Sequence, residues 1–386
     1  MIVSRVILKN WRNFRNVNVP LRERMFIVGP NASGKSNFLD VFRFLRDIAK
    51  PEGGGLQKAI RDRGGISKLR CLFARRYPQI EIEVQLADTP DVEPEWRYAI
   101  GIRQEVRGNR QPYLSHEKVW KGDELILNRP DEQDKKDFER QTQTHLEQIN
   151  ANESFRDIAR FFESVTYLHL VPQLLRYADA FQGKRLEDDP FGQGFLEKVA
   201  KAQVGAQKSR LHKIEEALRI AVPQLKQLRF ERDETGHPHL EALHEHWRPN
   251  AGWQREDQFS DGTLRLIALF WSLLEGDSLL LLEEPELSLN VGIINKLAEL
   301  IYQMQRQRKQ RRRQILVSTH SPDMLTDKGI DGRETLLLTP RKEGTTVEVA
   351  TDITELRDLL EAGLSVGDVV LPRTRPQNIE QLGLFS

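Results

Sequence analysis

Residues 29–36 read Gly29-Pro30-Asn31-Ala32-Ser33-Gly34-Lys35-Ser36, and they fit the phosphate-binding pattern G-x-x-x-x-G-K-[ST] at every position. An apolar run at 25–28 precedes the stretch, and a helix-forming run at 37–45 follows it. This order of strand, glycine-rich loop and helix N-terminus turns backbone N–H groups toward a polyphosphate, because the glycines let the chain wrap closely. A chance glycine-rich turn is the alternative, but it leaves the agreement of the three segments unexplained.

The residue types in the loop predict distinct roles at a nucleotide. Lys35 is expected to reach the β and γ phosphates, and the Ser36 hydroxyl is expected to bind Mg²⁺. We expect the following residues to bind the nucleotide: Gly29, Pro30, Asn31, Ala32, Ser33, Gly34, Lys35, Ser36 and Asn37.

Size and charge set limits on what the chain can be. Its 386 residues predict one large domain with insertions, or two domains. The 58 basic and 57 acidic residues nearly cancel, so nucleic-acid binding would need a local basic patch. The single cysteine, Cys71, excludes an internal disulfide. With no signal sequence and no apolar run that could span a bilayer, we expect a cytoplasmic protein that does not contact membranes.

A second apolar run, at 278–282, ends in the carboxylates Glu283, Glu284 and Glu286. An all-apolar run is typical of a central parallel strand covered on both faces, and ligands bind at the carboxyl ends of such strands. Glu283 is therefore predicted to bind Mg²⁺, and Glu284 is predicted to orient and activate the attacking water. Glu286 is expected to be a surface or capping carboxylate.

Two later stretches complete the pattern. Residues 259–263 read FSDGT before an apolar helix, and Ser260 and Gly262 are predicted to form a second anion site at the helix N-terminus. An ordinary serine cap fits this pentapeptide equally well. Residues 314–322 form another apolar strand ending in polar groups, and His320 is predicted to contact the γ phosphate or the attacking water.

This ordered set resembles the ABC-type ATPase heads of the SMC and RecF class, and it is most similar to stand-alone bacterial ATPases related to the overcoming-lysogenisation-defect proteins. The corresponding motifs are Walker A at 29–36, the signature at 260–263, Walker B at 279–284, the D-loop at 287–290, the switch histidine at His320 and an Asn-Phe-Arg-like segment at 10–15. The resemblance implies that ATP and Mg²⁺ are the cofactors and that Lys35, Glu284 and His320 are catalytic. It also implies that ATP is bound between two copies of the chain.

The implied fold is α/β: an ABC-type P-loop NTPase head with a mainly parallel core sheet, an antiparallel β lobe and a helical insertion. We predict four parts: an N-terminal part of the head at 1–130, a helical insertion at 131–222, a C-terminal part of the head at 223–371 and a flexible tail at 372–386.

Glu283 departs from the aspartate usual in Walker B, so metal geometry and turnover are expected to differ. A Q-loop glutamine is not assigned, although 61–65 is a candidate region. The residues after His320 lack paired acidic clusters suited to two metals, so we expect no nuclease centre.

Three functions remain open. The first is an ATPase that regulates a partner effector, such as a nuclease encoded nearby, in bacterial antiphage defence. The second is a RecF-like repair ATPase that clamps DNA, and the third is a nucleotide-gated scaffold with slow turnover. A basic run could contact DNA, or it could be a solvated helix end: Arg306, Arg308, Lys309, Arg311, Arg312 and Arg313.

Overall fold

The structure is a computed structural model that describes residues 1–74, 78–105, 110–177, 188–245, 252–306 and 313–374. Its strands are β1 (Ile2–Trp11), β2 (Phe14–Pro20), β3 (Arg24–Val28), β4 (Ile80–Ala87), β5 (Trp96–Gln104), β6 (Pro112–Lys121), β7 (Glu124–Arg129), β8 (Thr166–Leu168), β9 (Leu225–Arg232), β10 (Pro238–His244), β11 (Trp253–Arg255), β12 (Leu280–Glu283), β13 (Ile315–Thr319), β14 (Thr335–Arg341) and β15 (Gly344–Val349). Its helices are α1 (Lys35–Ala49), α2 (Leu56–Arg61), α3 (Ile66–Leu69), α4 (Glu132–Lys136), α5 (Arg156–Glu163), α6 (Pro172–Arg176), α7 (Phe195–Lys201), α8 (Val204–Ala221), α9 (Asp261–Leu274), α10 (Val291–Arg306), α11 (Thr354–Glu361) and α12 (Val366–Val370).

The core is a six-stranded sheet in the order β15-β14-β3-β13-β12-β8. Every neighbouring pair is parallel except β14 and β15, which form an antiparallel hairpin. The chain therefore has the mainly parallel core sheet that the sequence predicts. Both neighbours of β3 come from the C-terminal part of the chain, so the sheet joins segments that are far apart in sequence.

The two faces of this sheet belong to two separate hydrophobic clusters. Along β12, Leu281 packs into the cluster that contains α1, while Leu280 and Leu282 pack into the cluster that contains α9 and α10. Alternate residues of a strand point to opposite faces, so a strand buried on both sides must be apolar throughout. This requirement explains the uninterrupted leucine run that precedes Glu283.

A second six-stranded sheet, in the order β2-β1-β4-β5-β6-β7, is antiparallel throughout and forms the predicted β lobe. Gln314, at the start of the core strand β13, joins the two sheets. Its side chain accepts a hydrogen bond from Val3 N at 2.8 Å and donates to Val3 O at 2.8 Å. The buried amide thereby pairs with the backbone of β1 and fixes the β lobe against the core.

Residues 1–28 contain three strands, and a short turn at Arg12 and Asn13 joins β1 to β2. The turn is short because Arg12 has a left-handed backbone, with φ of 49°, and the chain reverses there into β2. A further three-stranded antiparallel sheet, β11-β10-β9, packs beside α8.

The segment predicted as a helical insertion, 131–222, also supplies a strand of the core. β8 pairs in parallel with β12, and α5 packs against α1. In this respect the structure differs from the prediction, because part of the segment forms the edge strand of the core sheet. Among the described residues, no helix is both long and apolar enough to cross a membrane.

Candidate nucleotide-binding site

The register of the core sheet brings three strand ends to one edge. Val28 on β3 lies opposite Thr319 on β13, and Ser318 lies opposite Glu283 on β12. The residues that follow each strand therefore meet: the loop at 29–34, Glu284, and His320. The motifs that the sequence separates by more than two hundred residues become neighbours for this reason.

The phosphate loop connects β3 to α1 through two left-handed residues, Ala32 with φ of 61° and Gly34 with φ of 101°. A Cβ atom at Gly34 would lie 2.2 Å from the side-chain amide nitrogen of Asn13. Glycine is therefore required at position 34 both by the backbone conformation and by the close approach of Asn13.

The Asn13 side chain links the loop to two other segments. Its amide nitrogen donates to Ser33 O and to Thr345 Oγ1, both at 2.8 Å, and its oxygen accepts from the Asn37 amide at 2.8 Å. These bonds hold the loop between the β1–β2 turn and the β14–β15 hairpin. Asn37, predicted to bind nucleotide, here supports Asn13, and its contact with nucleotide stays a prediction.

A row of hydrogen bonds beside the phosphate loop links Lys35, His320 and Glu284. The Lys35 ammonium donates to Gly29 O at 2.9 Å and lies 3.2 Å from His320 Nδ1. Since an ammonium group only donates, Nδ1 accepts, and the ring hydrogen is on Nε2. His320 Nε2 lies 2.9 Å from Glu284 Oε1, to which it donates.

Burial lowers the pKa of two of these three side chains, Lys35 and His320. It lowers the pKa of Lys35 to about 8, although the charges of Glu284, Glu283 and Glu286 oppose the shift. Burial and the neighbouring Lys35 charge also lower the pKa of His320, so its imidazole is neutral at pH 7. A neutral His320 can hold the Glu284 carboxylate as a hydrogen-bond donor without neutralising its charge.

Glu284 occupies a strained backbone position, with a left-handed φ of 46° immediately after β12. Its N–H still donates to Ser318 O at 3.0 Å, which continues the ladder between β12 and β13. Non-glycine residues in this conformation cluster at active sites, because the surrounding structure must hold them there. The strain therefore supports the predicted role of Glu284 next to the reacting phosphate.

Ser36 and Glu283 provide the oxygen donors expected for Mg²⁺. Ser36 Oγ donates to Glu283 Oε1 at 2.5 Å, and the second carboxylate oxygen accepts a hydrogen bond from the hydroxyl of Tyr167 on β8. Across the described ranges, no group of three or more His, Cys, Asp or Glu side chains could hold a metal ion. One hydroxyl and one carboxylate fit Mg²⁺ that arrives with a nucleotide, since this ion is usually bound by one or two carboxylates together with substrate phosphates and water.

Glu286 is not the surface carboxylate that the sequence indicates. Only 5% of it is exposed, and its Oε1 atom accepts from Thr319 Oγ1 at 2.6 Å and from His320 N at 3.0 Å. Burial raises the pKa of Glu286. Glu286 thus holds the end of β13 beside His320, and this contact was not predicted from the sequence.

The signature residues lie apart from this cluster. Ser260 is exposed and caps α9 by accepting from Thr263 N at 3.1 Å. No hydrogen bond joins Ser260 or Gly262 to the phosphate loop of the same chain in the part that the structure describes. A Cβ atom at Gly262 would lie 2.9 Å from Ser288 O, so the signature packs directly against the D-loop.

The structure contradicts one of the predicted DNA contacts. Arg313 is 3% exposed and donates to Ser278 O and Glu275 O, each at 2.6 Å, and to Ser272 O. These carbonyls lie at and after the C-terminal end of α9, so Arg313 satisfies helix-end acceptors and is not available to DNA. Arg306 is exposed at the end of α10. The remaining predicted contacts lie outside the described residues: Arg308, Lys309, Arg311 and Arg312.

Comparison with known families agrees with this geometry. The family described as "AAA domain, putative AbiEii toxin, Type IV TA system" matches residues 24–325. The chain belongs to this family. The matched range includes the phosphate loop, the signature, both Walker B glutamates and His320.

Solved structures of SMC heads share the fold of this AAA-domain chain. One is an SMC head bound to the C-winged helix domain of ScpA, with 16% identity, a TM-score of 0.54, and coverage of 90% of this chain and 98% of that one. Another, an SMC head with an extended coiled coil bound to the C-terminal domain of ScpA derived from Pyrococcus furiosus, has 16% identity, a TM-score of 0.50, and coverage of 93% and 99%. No curated protein matches the sequence significantly. The chain therefore has the fold of an ABC-type ATPase head of the SMC and RecF class.

Proposed function

We propose that this chain binds and hydrolyses ATP between two copies of itself, and that the closed dimer holds or licenses a partner effector in bacterial antiphage defence. The effector that fits best is a nuclease or another toxic protein. ATP acts as the switch because it binds the closed dimer more tightly than the separate subunits.

One observation carries the ATPase proposal. Five residues converge at the carboxyl edge of the core sheet in two hydrogen-bonded groups: Lys35 with His320 and Glu284, and Ser36 with Glu283. The set contains a phosphate-binding cation, two oxygen donors for Mg²⁺, and a carboxylate held by a neutral imidazole for activating water. This division of roles is what phosphoryl transfer to water requires.

The exposed signature supports dimer formation. Ser260 and Gly262 lie at a helix N-terminus that, among the described residues, forms no hydrogen bond to their own phosphate loop, and a second copy could place its nucleotide against that N-terminus. Asp261 does not repel such an anion strongly, because Arg176 pairs with its carboxylate at 2.6 Å and Gln173 donates to it at 2.6 Å.

The partner proposal draws on the comparisons. The family description names a toxin of a toxin–antitoxin system, which implies a second component. SMC heads of similar fold bind a ScpA domain in solved structures, so such a head can present a surface to another protein.

The first test is Glu284→Gln, which removes the water-activating carboxylate while keeping nearly the same shape. We expect this variant to bind Mg-ATP and remain dimeric in light scattering, while the wild type returns to monomer as ATP is consumed. Adding Ser260→Arg to Glu284→Gln should abolish the dimer, because the arginine obstructs the second anion site. A Glu284→Gln protein that binds ATP but stays monomeric would contradict the dimer proposal.

The second test identifies the partner. The tagged Glu284→Gln protein is purified from its native host in Mg-ATP, and co-purifying proteins are identified by mass spectrometry. A stoichiometric nuclease or toxin is the expected result. Recovery of DNA without any protein partner would favour the repair clamp, and recovery of the chain alone would also contradict the effector proposal.

A further inference from the structure

Both carboxylate oxygens of Glu283 are engaged in hydrogen bonds. Oε1 accepts from the Ser36 hydroxyl at 2.5 Å, and Oε2 accepts from the Tyr167 hydroxyl. Glutamate has one more rotatable bond than aspartate, so a free Glu283 could turn its carboxylate away from Ser36. A second partner on Oε2 removes that freedom.

The position of Tyr167 follows from the pairing of β8 with β12. Tyr167 lies opposite Leu281, and Glu283, two residues further on, faces the same side of the sheet. Tyr167 is 7% exposed, and the guanidinium carbon of Arg43 on α1 lies 4.0 Å from the centre of its ring. The ring is thus held between the core sheet and the helix that begins at the phosphate loop.

We propose that Tyr167 is a positioning residue that holds Glu283 so that its other oxygen faces Ser36 and the Mg²⁺ of the bound nucleotide. The inference rests on the proposed nucleotide-binding function, and it assigns a role in the site to the segment 131–222. The phenol hydroxyl of Tyr167 carries a hydrogen and serves the Glu283 carboxylate as a donor.

The expected size of the effect follows from the chemistry of such contacts. Groups that hydrogen-bond to a metal ligand fix its orientation, and their removal typically weakens metal binding by about 10-fold or more. The effect should concern Mg²⁺ specifically, because Tyr167 donates to Glu283 and, among the described residues, forms no hydrogen bond to the phosphate loop.

The test is Tyr167→Phe, which removes the hydroxyl and keeps the buried ring. Binding of a fluorescent ATP analogue is followed while Mg²⁺ is titrated, and Mn²⁺ binding is measured by electron paramagnetic resonance. We expect the half-saturating cation concentration to rise by about 10-fold, with little change in analogue affinity at saturating Mg²⁺. Tyr302→Phe is the matched control, since Tyr302 lies on α10 beside Arg24 at the opposite end of β3.

A double-mutant cycle with Glu283→Asp separates positioning from a general structural effect. The shorter aspartate cannot reach both Ser36 and Tyr167, so Tyr167→Phe should change the cation requirement of Glu283→Asp by less than about 2-fold. A merely structural role would give the same change in both backgrounds.

The outcomes distinguish failure of the proposed nucleotide-binding function from failure of the proposed role of Tyr167. If the wild type binds no nucleotide at any Mg²⁺ concentration, the proposed function fails. If the wild type binds nucleotide with Mg²⁺ and Tyr167→Phe has the same cation requirement, only the role of Tyr167 is overturned. The same conclusion follows if Tyr167→Phe weakens nucleotide binding as much at saturating Mg²⁺ as at limiting Mg²⁺. Equal effects of Tyr167→Phe in both Glu283 backgrounds would overturn it as well.

Discussion

The Lys35 side chain shows how burial prepares a single residue for its ligand. With a pKa lowered to about 8, Lys35 loses its charge in the free protein at mildly alkaline pH. Phosphate oxygens favour the charged form and raise the pKa on binding, so binding takes up a proton above pH 8. ATP affinity should therefore be greatest below pH 8 and weaken as the pH rises, by about tenfold between pH 7 and pH 9.

The measurement is the dissociation constant of Mg-ATP across this pH range by calorimetry or fluorescence. Lys35→Arg serves as the control, because a guanidinium stays charged throughout. The proposed linkage predicts a flat pH profile for Lys35→Arg whatever its absolute affinity. A parallel decline in both proteins would assign the pH effect to another group.

The predicted site residues that the structure brings together belong to compact motifs. Lys35 and Ser36 begin α1 after the loop that follows β3, Glu283 ends β12, and Glu284 and His320 directly follow β12 and β13. The sequence did not reveal Tyr167, since no motif surrounds it. Glu286 was predicted to be a surface or capping carboxylate, and its burial was missed because an acidic residue after a proline is typical of a solvated turn.

At the level of elements, a buried ionic cluster joins β6, β7 and α4. Arg129 is 2% exposed and pairs with the fully buried Glu117 and Asp134, each at 2.9 Å. Burial by itself would raise the pKa of Asp134, but hydrogen bonds from Arg129 and other donors outweigh it and hold the pKa well below its usual range. The cluster fixes the outer edge of the antiparallel sheet to the segment that follows it.

Arg129→Met should destabilise the protein by about 3–5 kcal/mol, because it leaves the buried Glu117 without a cation and the buried Asp134 with only the more exposed Arg140. A folded-state pKa below the unfolded value contributes stability above the unfolded pKa, and that contribution is lost as the pH falls. The difference in the free energy of unfolding between wild type and Arg129→Met should therefore narrow as the pH falls from 6 toward 3.

Urea unfolding at several pH values measures this difference. Lys135→Met, which breaks the exposed pair with Glu132, is the control and should have little effect at any pH. An Arg129→Met variant that is as stable as the control at pH 6 would contradict the prediction.

Hairpins and long apolar strands were the most predictable elements. The β6–β7 and β14–β15 hairpins follow the turns around Gly122 and Gly344, where the sequence signals them. β8 escaped prediction because its three residues are too few to show a periodicity and lie between helical patterns. Its place in the core is decided by pairing with β12, which is a long-range contact that local sequence does not encode.

For the whole molecule, the separation of signature and phosphate loop predicts that each ATP site is shared between two subunits. A Ser260→Arg protein and a Lys35→Met protein should each be inactive. When the two are mixed in equal amounts, mixed dimers contain one intact composite site, and about a quarter of the wild-type ATPase activity should return.

ATPase rates of the two variants, alone and mixed, provide the measurement, and a mixture of either variant with Lys35→Met/Ser260→Arg is the control that should stay inactive. If the signature served its own phosphate loop, mixing would restore nothing.

The hydrogen bonds from Asn13 to Ser33 and Thr345 have a consequence for folding during synthesis. β13, β14 and Thr345, which hold β3 and the phosphate loop in place, leave the ribosome some three hundred residues after the loop does. At typical synthesis rates this interval lasts on the order of tens of seconds. Throughout it the nascent chain displays an apolar strand without neighbours, which is a substrate for chaperones. During the same interval the nascent chain cannot assemble the candidate nucleotide site, because Lys35 and Ser36 wait for Glu283, Glu284 and His320.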